Sequence, residues 1–326
     1  MHKLFYSTLI LCGATVSAAE ACSVSIGEMN WGSAQIGTAI ERFILEAGYG
    51  CEVEVISTTT IPAITSMIET GKPEVITEVW MNAAGAPLEK PLADGLVIDA
   101  GAVLSDGGVE GWWIPKSFAD QHPEIKTVAD VLAHPELFPD PEKPGMGAFY
   151  NCPSGWACQT VNSHMFGAYG FEGKFTNVDP GSAEALAALI ARASDKGDAW
   201  FGYYWAPTSV MGRYPMVQIE MAAHDPATYS CLKEETCADP KPNSYPASQV
   251  SMVYTKAFAE READAANFLD SVAISNDVMN DVLAWQEDNK AEPAQAAGYF
   301  AVTYPDVWKA WVTPEAAEKV AAALNL

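Results

Sequence analysis

Beyond residue 21 the chain alternates short apolar runs with longer stretches in which apolar residues return every three or four positions. Runs at 23–27, 53–57 and 74–80 have strand character, and the stretches 33–48 and 61–70 between them carry the helical period. The order βαβαβ predicts a parallel sheet, whose ligand sites lie beyond the carboxyl ends of its strands. Ser33 stands where a helix N-cap is expected, Pro62 falls in a first turn, and Gly48 and Gly71 stand just past the predicted helix ends. A second block opens with Trp-Trp-Ile-Pro at 112–115 and continues through a Pro-rich loop at 135–144, an Ala-rich helix at 182–196 and a strand at 200–205. A polar, Pro-rich loop at 225–246 precedes a strand at 250–255, and amphipathic helices through Phe268, Val282 and Trp311 close the chain. One echo stands out: Trp113-Ile-Pro-Lys-Ser-Phe-Ala and Val253-Tyr-Thr-Lys-Ala-Phe-Ala share a strand-then-Lys-x-Phe-Ala pattern. If these two strands are paired crossings, one lobe comprises 22–112 plus 250–326, and 113–249 forms a second lobe inserted into it.

The first residues read differently. Met-His-Lys, an apolar run at 4–16 and the small residues Ser17, Ala18 and Ala19 form a secretory signal peptide over 1–21. That run is too short to span a bilayer, and Ala19-Glu20-Ala21-Cys22 is a poor match to a lipidation site. The remaining length of about 300 residues, with 49% hydrophobic composition, suits two ordinary cores. A formal net charge of -24 argues against nucleic acid or an anionic membrane surface as partner, since both would repel the chain. Of seven cysteines, Cys12 leaves with the leader, and an even set suits an oxidising compartment. Cys22 and Cys51 each open a strand, and neighbouring parallel strands would set them side by side; Cys152 with Cys158 and Cys231 with Cys237 would each close a tight loop. A zinc site built from the last four is disfavoured by their spacing.

Catalytic patterns are missing from the sequence. His122, His134 and His224 sit in loop-like segments, His164 lies on a helix beside Met165 and Phe166, and none belongs to a nucleophile elbow, a metalloprotease helix or a phosphate-cradling loop. What the chain has is tryptophan at strand ends: Trp31, Trp80, Trp156 and Trp205, each beside turn residues. Aromatic faces turned inward can enclose a quaternary ammonium, each contributing roughly 0.5–2 kcal/mol through the ring quadrupole. Trp285, Trp308 and Trp311, on C-terminal helices, and the pair Trp112 and Trp113 are expected to pack the core.

Asn-Cys-Pro-Ser-Gly-Trp-Ala-Cys, followed some fifty positions later by Tyr-Tyr-Trp-Ala-Pro, resembles the glycine betaine/proline betaine binding proteins. The resemblance runs over nearly the whole chain beyond the leader. It implies an α/β fold of the two-lobed periplasmic binding protein kind (type II-like), each lobe a mainly parallel sheet flanked by helices, with ligand in the interlobe cleft. It implies cage walls at Trp80, Trp156 and Trp205, and backbone amides of Ala157 and Cys158 as donors to an anionic ligand end. It also implies a periplasmic protein, expected as a monomer, that feeds the permease of an ABC importer in the inner membrane and needs no cofactor. Trp31 and Glu28 depart from the glycine betaine pattern, as does Glu78 beside Trp80, and no Lys or Arg lies in the motif segments. A fourth wall and nearby acid favour a compact, cation-dominated solute, and the chain looks most like trimethylamine N-oxide binders, with Glu28 as a ligand contact. Glycine betaine and choline remain as alternatives, as does a ligand-sensing domain in place of an importer component. The segment around Cys231 and Cys237 reads as a disulfide-closed hairpin; its acids Asp225, Glu234, Glu235 and Asp239 are oxygen donors that would suit calcium, without EF-hand spacing.

Overall fold

The computed structural model describes residues 22–84 and 86–325; the expected leader at 1–21 lies outside them. The described strands form two five-stranded sheets. In the first, β1 (Ser23–Met29) pairs in parallel with β2 (Glu52–Thr58) and β3 (Val75–Trp80). Every residue of β3 is buried, so its polar members Thr77 and Glu78 must find partners inside the protein. β4 (Val97–Ala102) joins through the late strand β10 (Val250–Thr255), giving the order β2-β1-β3-β10-β4 with β10 antiparallel to both neighbours. The second sheet is built from β5 (Val109–Pro115), β6 (Gly147–Tyr150), β7 (Phe175–Val178), β8 (Gly202–Ala206) and β9 (Met216–Gln218), in the order β7-β6-β8-β5-β9. Here β5 is the reversed strand.

The two sheets therefore share one plan, in which the fourth strand of each is the one the chain enters on crossing from the other lobe. This accounts for the sequence echo. Helices Lys116–Gln121 and Lys256–Arg261 follow the two reversed strands at equivalent places. The echo strands lie in different sheets and do not pair with each other. The pairing lies just upstream, where Gly108 and Ser248 exchange both backbone hydrogen bonds, at 2.8 and 3.1 Å. Space there is tight: a Cβ on Gly108 would stand 2.2 Å from the Trp80 ring.

Local capping differs from expectation at the first helix, Gly32–Ile44. Trp31, with extended backbone, takes the cap position, so Ser33 falls inside the first turn and turns its hydroxyl to Glu78. The helix then runs on through a π turn, Leu45–Tyr49, to Gly50 at φ 71°, so Gly48 is inside it rather than past its end. Gly48 lies against Val320 and Ala316 of the last helix, where a Cβ would be 3.2–3.3 Å from their methyl groups. Gly71 ends the second helix, Thr60–Thr70, at φ 75° as predicted.

Each lobe has its own aromatic or aliphatic core. Trp112, fully buried, packs on Phe149, Phe171 and Phe201 with centroids 4.7, 5.7 and 5.8 Å away. Its indole N–H reaches Asn162 Oδ1 at 2.7 Å. On the C-terminal helices Trp285 stacks on Tyr299 at 4.5 Å, Trp311 stacks on Phe300, and buried Trp308 donates to the Ala301 carbonyl at 2.8 Å. These are packing residues, as their positions on amphipathic helices predict. The three cysteine pairs expected from the sequence are all formed, Cys22–Cys51, Cys152–Cys158 and Cys231–Cys237.

Candidate ligand-binding site

Strand ends and helix starts bring the four tryptophans together. Trp31 follows β1 and caps a helix, Trp80 is the last residue of β3, Trp156 caps helix Ala157–Ala168, and Trp205 lies next to the end of β8. Two come from each lobe. With Thr60, Ala83, Glu110, Ala157, Cys158 and Tyr203 they line a cavity holding about 310 Å³ of space free of atoms.

The indoles meet edge to face, Trp31 on Trp156 at 4.9 Å and 67°, and Trp156 on Trp205 at 5.1 Å and 77°. Tyr204 backs Trp205 at 4.6 Å. In this arrangement neighbouring rings stand across one another, the geometry that lets several faces surround one small volume. The Trp156 indole N–H donates across the cleft to Asn30 Oδ1 at 2.7 Å, and the Ile61 amide donates to the Gly155 carbonyl at 3.3 Å. The lobes are therefore joined beside the cage.

One buried carboxylate orients the two walls of the first lobe. Glu78 Oε1 accepts from Trp31 Nε1 at 2.7 Å, Trp80 Nε1 at 3.0 Å and Ser33 Oγ at 3.0 Å. Burial pushes its carboxyl up, and the three donors pull it back. Glu78 itself does not line the cavity. Nor does Glu28, which corrects its expected role as a ligand contact. Within β1 it pairs with Ser57 and lies in an outer groove with Gln35 and Arg42 of the first helix.

The acid inside the cavity is one the motifs did not mark. Glu110, on β5, is 3% exposed; Tyr203 Oη donates to its Oε1 at 2.7 Å, while its Oε2 is buried with no hydrogen bond of good geometry, the Ser248 hydroxyl standing near the carboxyl. Burial pushes its carboxyl up to about 7, against the pull of hydroxyl donors. The sequence signal available was a lone acid one residue before a glycine and two tryptophans in an otherwise apolar run. Ala157 and Cys158 open their helix at the positive end of its dipole, where the first amides have no intrahelical acceptor. Among the described residues Glu110 is the sole one of charged type lining the cavity.

The four acids considered for calcium do not converge. Asp225 caps helix Pro226–Leu232, accepting from the Ala227 amide and Thr228 Oγ1, while Asp239 pairs with Lys241 at 2.6 Å. Among the described residues no group of three or more His, Cys, Asp or Glu is placed to hold a metal ion.

Residues 23–302 match the OpuAC family, described as the substrate binding domain of ABC-type glycine betaine transport systems. The chain belongs to that family. OpuAC members are transporter substrate-binding proteins rather than enzymes. A curated relative, the glycine betaine/proline betaine-binding periplasmic protein of Escherichia coli (strain K12), is 27% identical over 204 residues. That match spans 60% of this chain and 60% of the relative. Two solved structures share the fold: a glycine/betaine/L-proline-binding protein of Borrelia burgdorferi (TM-score 0.73, 18% identity, 91% of this chain and 99% of that one) and an ABC-transporter choline binding protein in complex with choline (0.75, 19%, 93% and 98%). The two-lobed α/β architecture is thus that of OpuAC-type binding proteins. Among the described residues no helix is long and apolar enough to cross a membrane.

Proposed function

We propose that this protein captures trimethylamine N-oxide in the periplasm and delivers it to the permease of an ABC importer, with lobes close to 22–112 plus 250–326 and 113–249, the first crossing falling at the start of β5, Val109. The observation that carries this reading is the convergence of four indoles and one carboxyl oxygen without a well-placed partner in a small cavity whose lining, among the described residues, holds no Lys or Arg. The indole faces of Trp31, Trp80, Trp156 and Trp205 take the trimethylammonium group. The ligand's oxygen needs a donor, and a protonated Glu110 has one to give at Oε2. A carboxylate ligand would instead share the cavity with Glu110, with two backbone amides as its only dedicated donors. The leader and three disulfides fit an exported protein.

A second reading, glycine betaine with its carboxylate on the Ala157 and Cys158 amides, is favoured by the place of those amides at the helix start. Calorimetric titration with trimethylamine N-oxide, glycine betaine, choline and carnitine at pH 6 and pH 8 separates them. Trimethylamine N-oxide should bind tightest, and more tightly at pH 6, where Glu110 carries its proton. Choline, a cation, should favour pH 8. Glu110→Gln, which keeps a donor, should retain the N-oxide and flatten its pH dependence. Glycine betaine binding tighter than the N-oxide at both pH values would overturn the assignment.

A further inference from the structure

We infer that Glu78, lying behind the cage rather than in it, makes the site selective for positively charged head groups over neutral ones of the same shape, by donating electron density through the two indoles it holds. The inference rests on the cage reading above and adds to it a determinant outside the cavity.

Three donors converge on one oxygen of a carboxylate that is 2% exposed. An indole N–H bonded to an anion is more than a tether. The bond is charge-assisted, and in a low-dielectric interior it polarises the ring, deepening the negative potential on the faces that a cation meets. Trp31 and Trp80 are the two walls given by the first lobe, so half of the cage is electronically tied to this one group. The Trp156 indole differs: its N–H goes to a neutral amide oxygen, that of Asn30.

Glu78 must be ionised for this to work, and a second buried acid gives the comparison. Glu41, fully buried one turn from Gly37, accepts the Thr77 hydroxyl at 2.7 Å and has no partner on Oε1. Burial, and to a lesser degree the charge of Glu78, push Glu41 up to about 8, partly offset by the Thr77 bond. Burial raises both carboxyls, but Glu41 has one donor to offset it and Glu78 has three, so of the two it is Glu78 that holds its charge more readily.

The test compares choline with its neutral isostere 3,3-dimethylbutan-1-ol, in the unaltered protein, Glu78→Gln and Ser33→Ala. Glu78→Gln keeps shape and an acceptor oxygen but removes the charge. It should weaken choline about three- to tenfold and leave the isostere within about twofold. Ser33→Ala removes one of the three donors that favour the charged form of Glu78, so choline should bind no tighter, and any loss should spare the isostere. The Nε1–H proton resonances of Trp31 and Trp80 in the ligand-free protein should move upfield in Glu78→Gln. Equal weakening of both ligands, or unmoved indole resonances, would mean that Glu78 only holds the walls in place and would overturn the inference. Should the glutamine variant not fold, tighter choline binding or equal loss of both ligands in Ser33→Ala would overturn it as well. An unaltered protein that binds no methylated ammonium would instead overturn the cage reading on which this inference stands.

Discussion

The ion pairs that bridge the lobes give a sharp test of closure. Arg213, on the short helix Ser209–Arg213 after β8, forks onto two acids of helix Asn276–Asn289, with Nη1 at 2.6 Å from Glu287 Oε1 and Nη2 at 2.7 Å from Asp288 Oδ1. Lys233, from the disulfide-closed segment, meets Glu89 on another side of the cleft. These contacts span the lobes, so they form only when the cleft is closed, and their free energy adds to that of ligand binding. The side chains are exposed, 44% for Arg213 and 41% and 67% for its partners. Each exposed pair is then worth about 0.2–1 kcal/mol, and the fork together roughly 0.5–2 kcal/mol. Arg213→Gln should therefore raise the dissociation constant about two- to thirtyfold while leaving the melting temperature of the ligand-free protein nearly unchanged. Salt provides a second readout. Trimethylamine N-oxide has no net charge, so screening acts on the bridges rather than on the ligand, and affinity should fall from 0.05 to 0.5 M NaCl with a shallower fall in Arg213→Gln. A chain of net charge -24 also has lobes that repel, and that repulsion weakens with salt. Tighter binding at high salt, or an Arg213→Gln variant with unaltered affinity, would show that repulsion outweighs the bridges and would refute this account.

Replacing Trp205 by Ala should weaken binding about five- to thirtyfold with a modest change in melting temperature, and Phe should restore part of the loss; normal affinity in a variant of collapsed stability would remove Trp205 from the site. Glu41, raised to about 8 from an unfolded value near 4.5, contributes stability that is complete below pH 4.5 and is lost as pH rises through 8, so Glu41→Gln should melt higher than the parent at pH 9 and the difference should shrink toward pH 5. Small-angle scattering should show a smaller radius of gyration at saturating ligand, and an unchanged radius would count against a two-lobed clamp. Under denaturing conditions the chain without the proposed leader should show no reactive thiol, because all six cysteines of residues 22–326 are paired.

Much of the site was legible in the sequence because its walls sit where strands stop. Trp31, Trp80, Trp156 and Trp205 each adjoin turn or cap residues, and in an α/β lobe those places face the crevice. The disulfides were legible for a similar reason, since paired strand starts and six-residue loops leave each cysteine one near partner. The acids were not. In a strand buried on both faces, alternation no longer tells which way a side chain points. Glu28 and Glu78 stand in comparable positions before a tryptophan, yet the first looks into an outer groove and the second is enclosed behind two indoles. Glu110 was missed because the apolar run at 112–115 marks β5 without marking its start at Val109. The reversed strands explain why the echo was visible while its meaning was not: repeated local pattern reports equivalent position in two sheets, which differs from pairing between them.

The contact between Gly108 and Trp80 bears on how such a site could change over evolutionary time. With 2.2 Å separating the Trp80 ring from the place of any side chain at 108, this wall has no room to retreat, and the crossing behind it cannot gain bulk without pushing the ring into the cavity. Adaptation to a larger head group must then come from Trp31, Trp156 or Trp205, or from loss of the Trp80 ring itself.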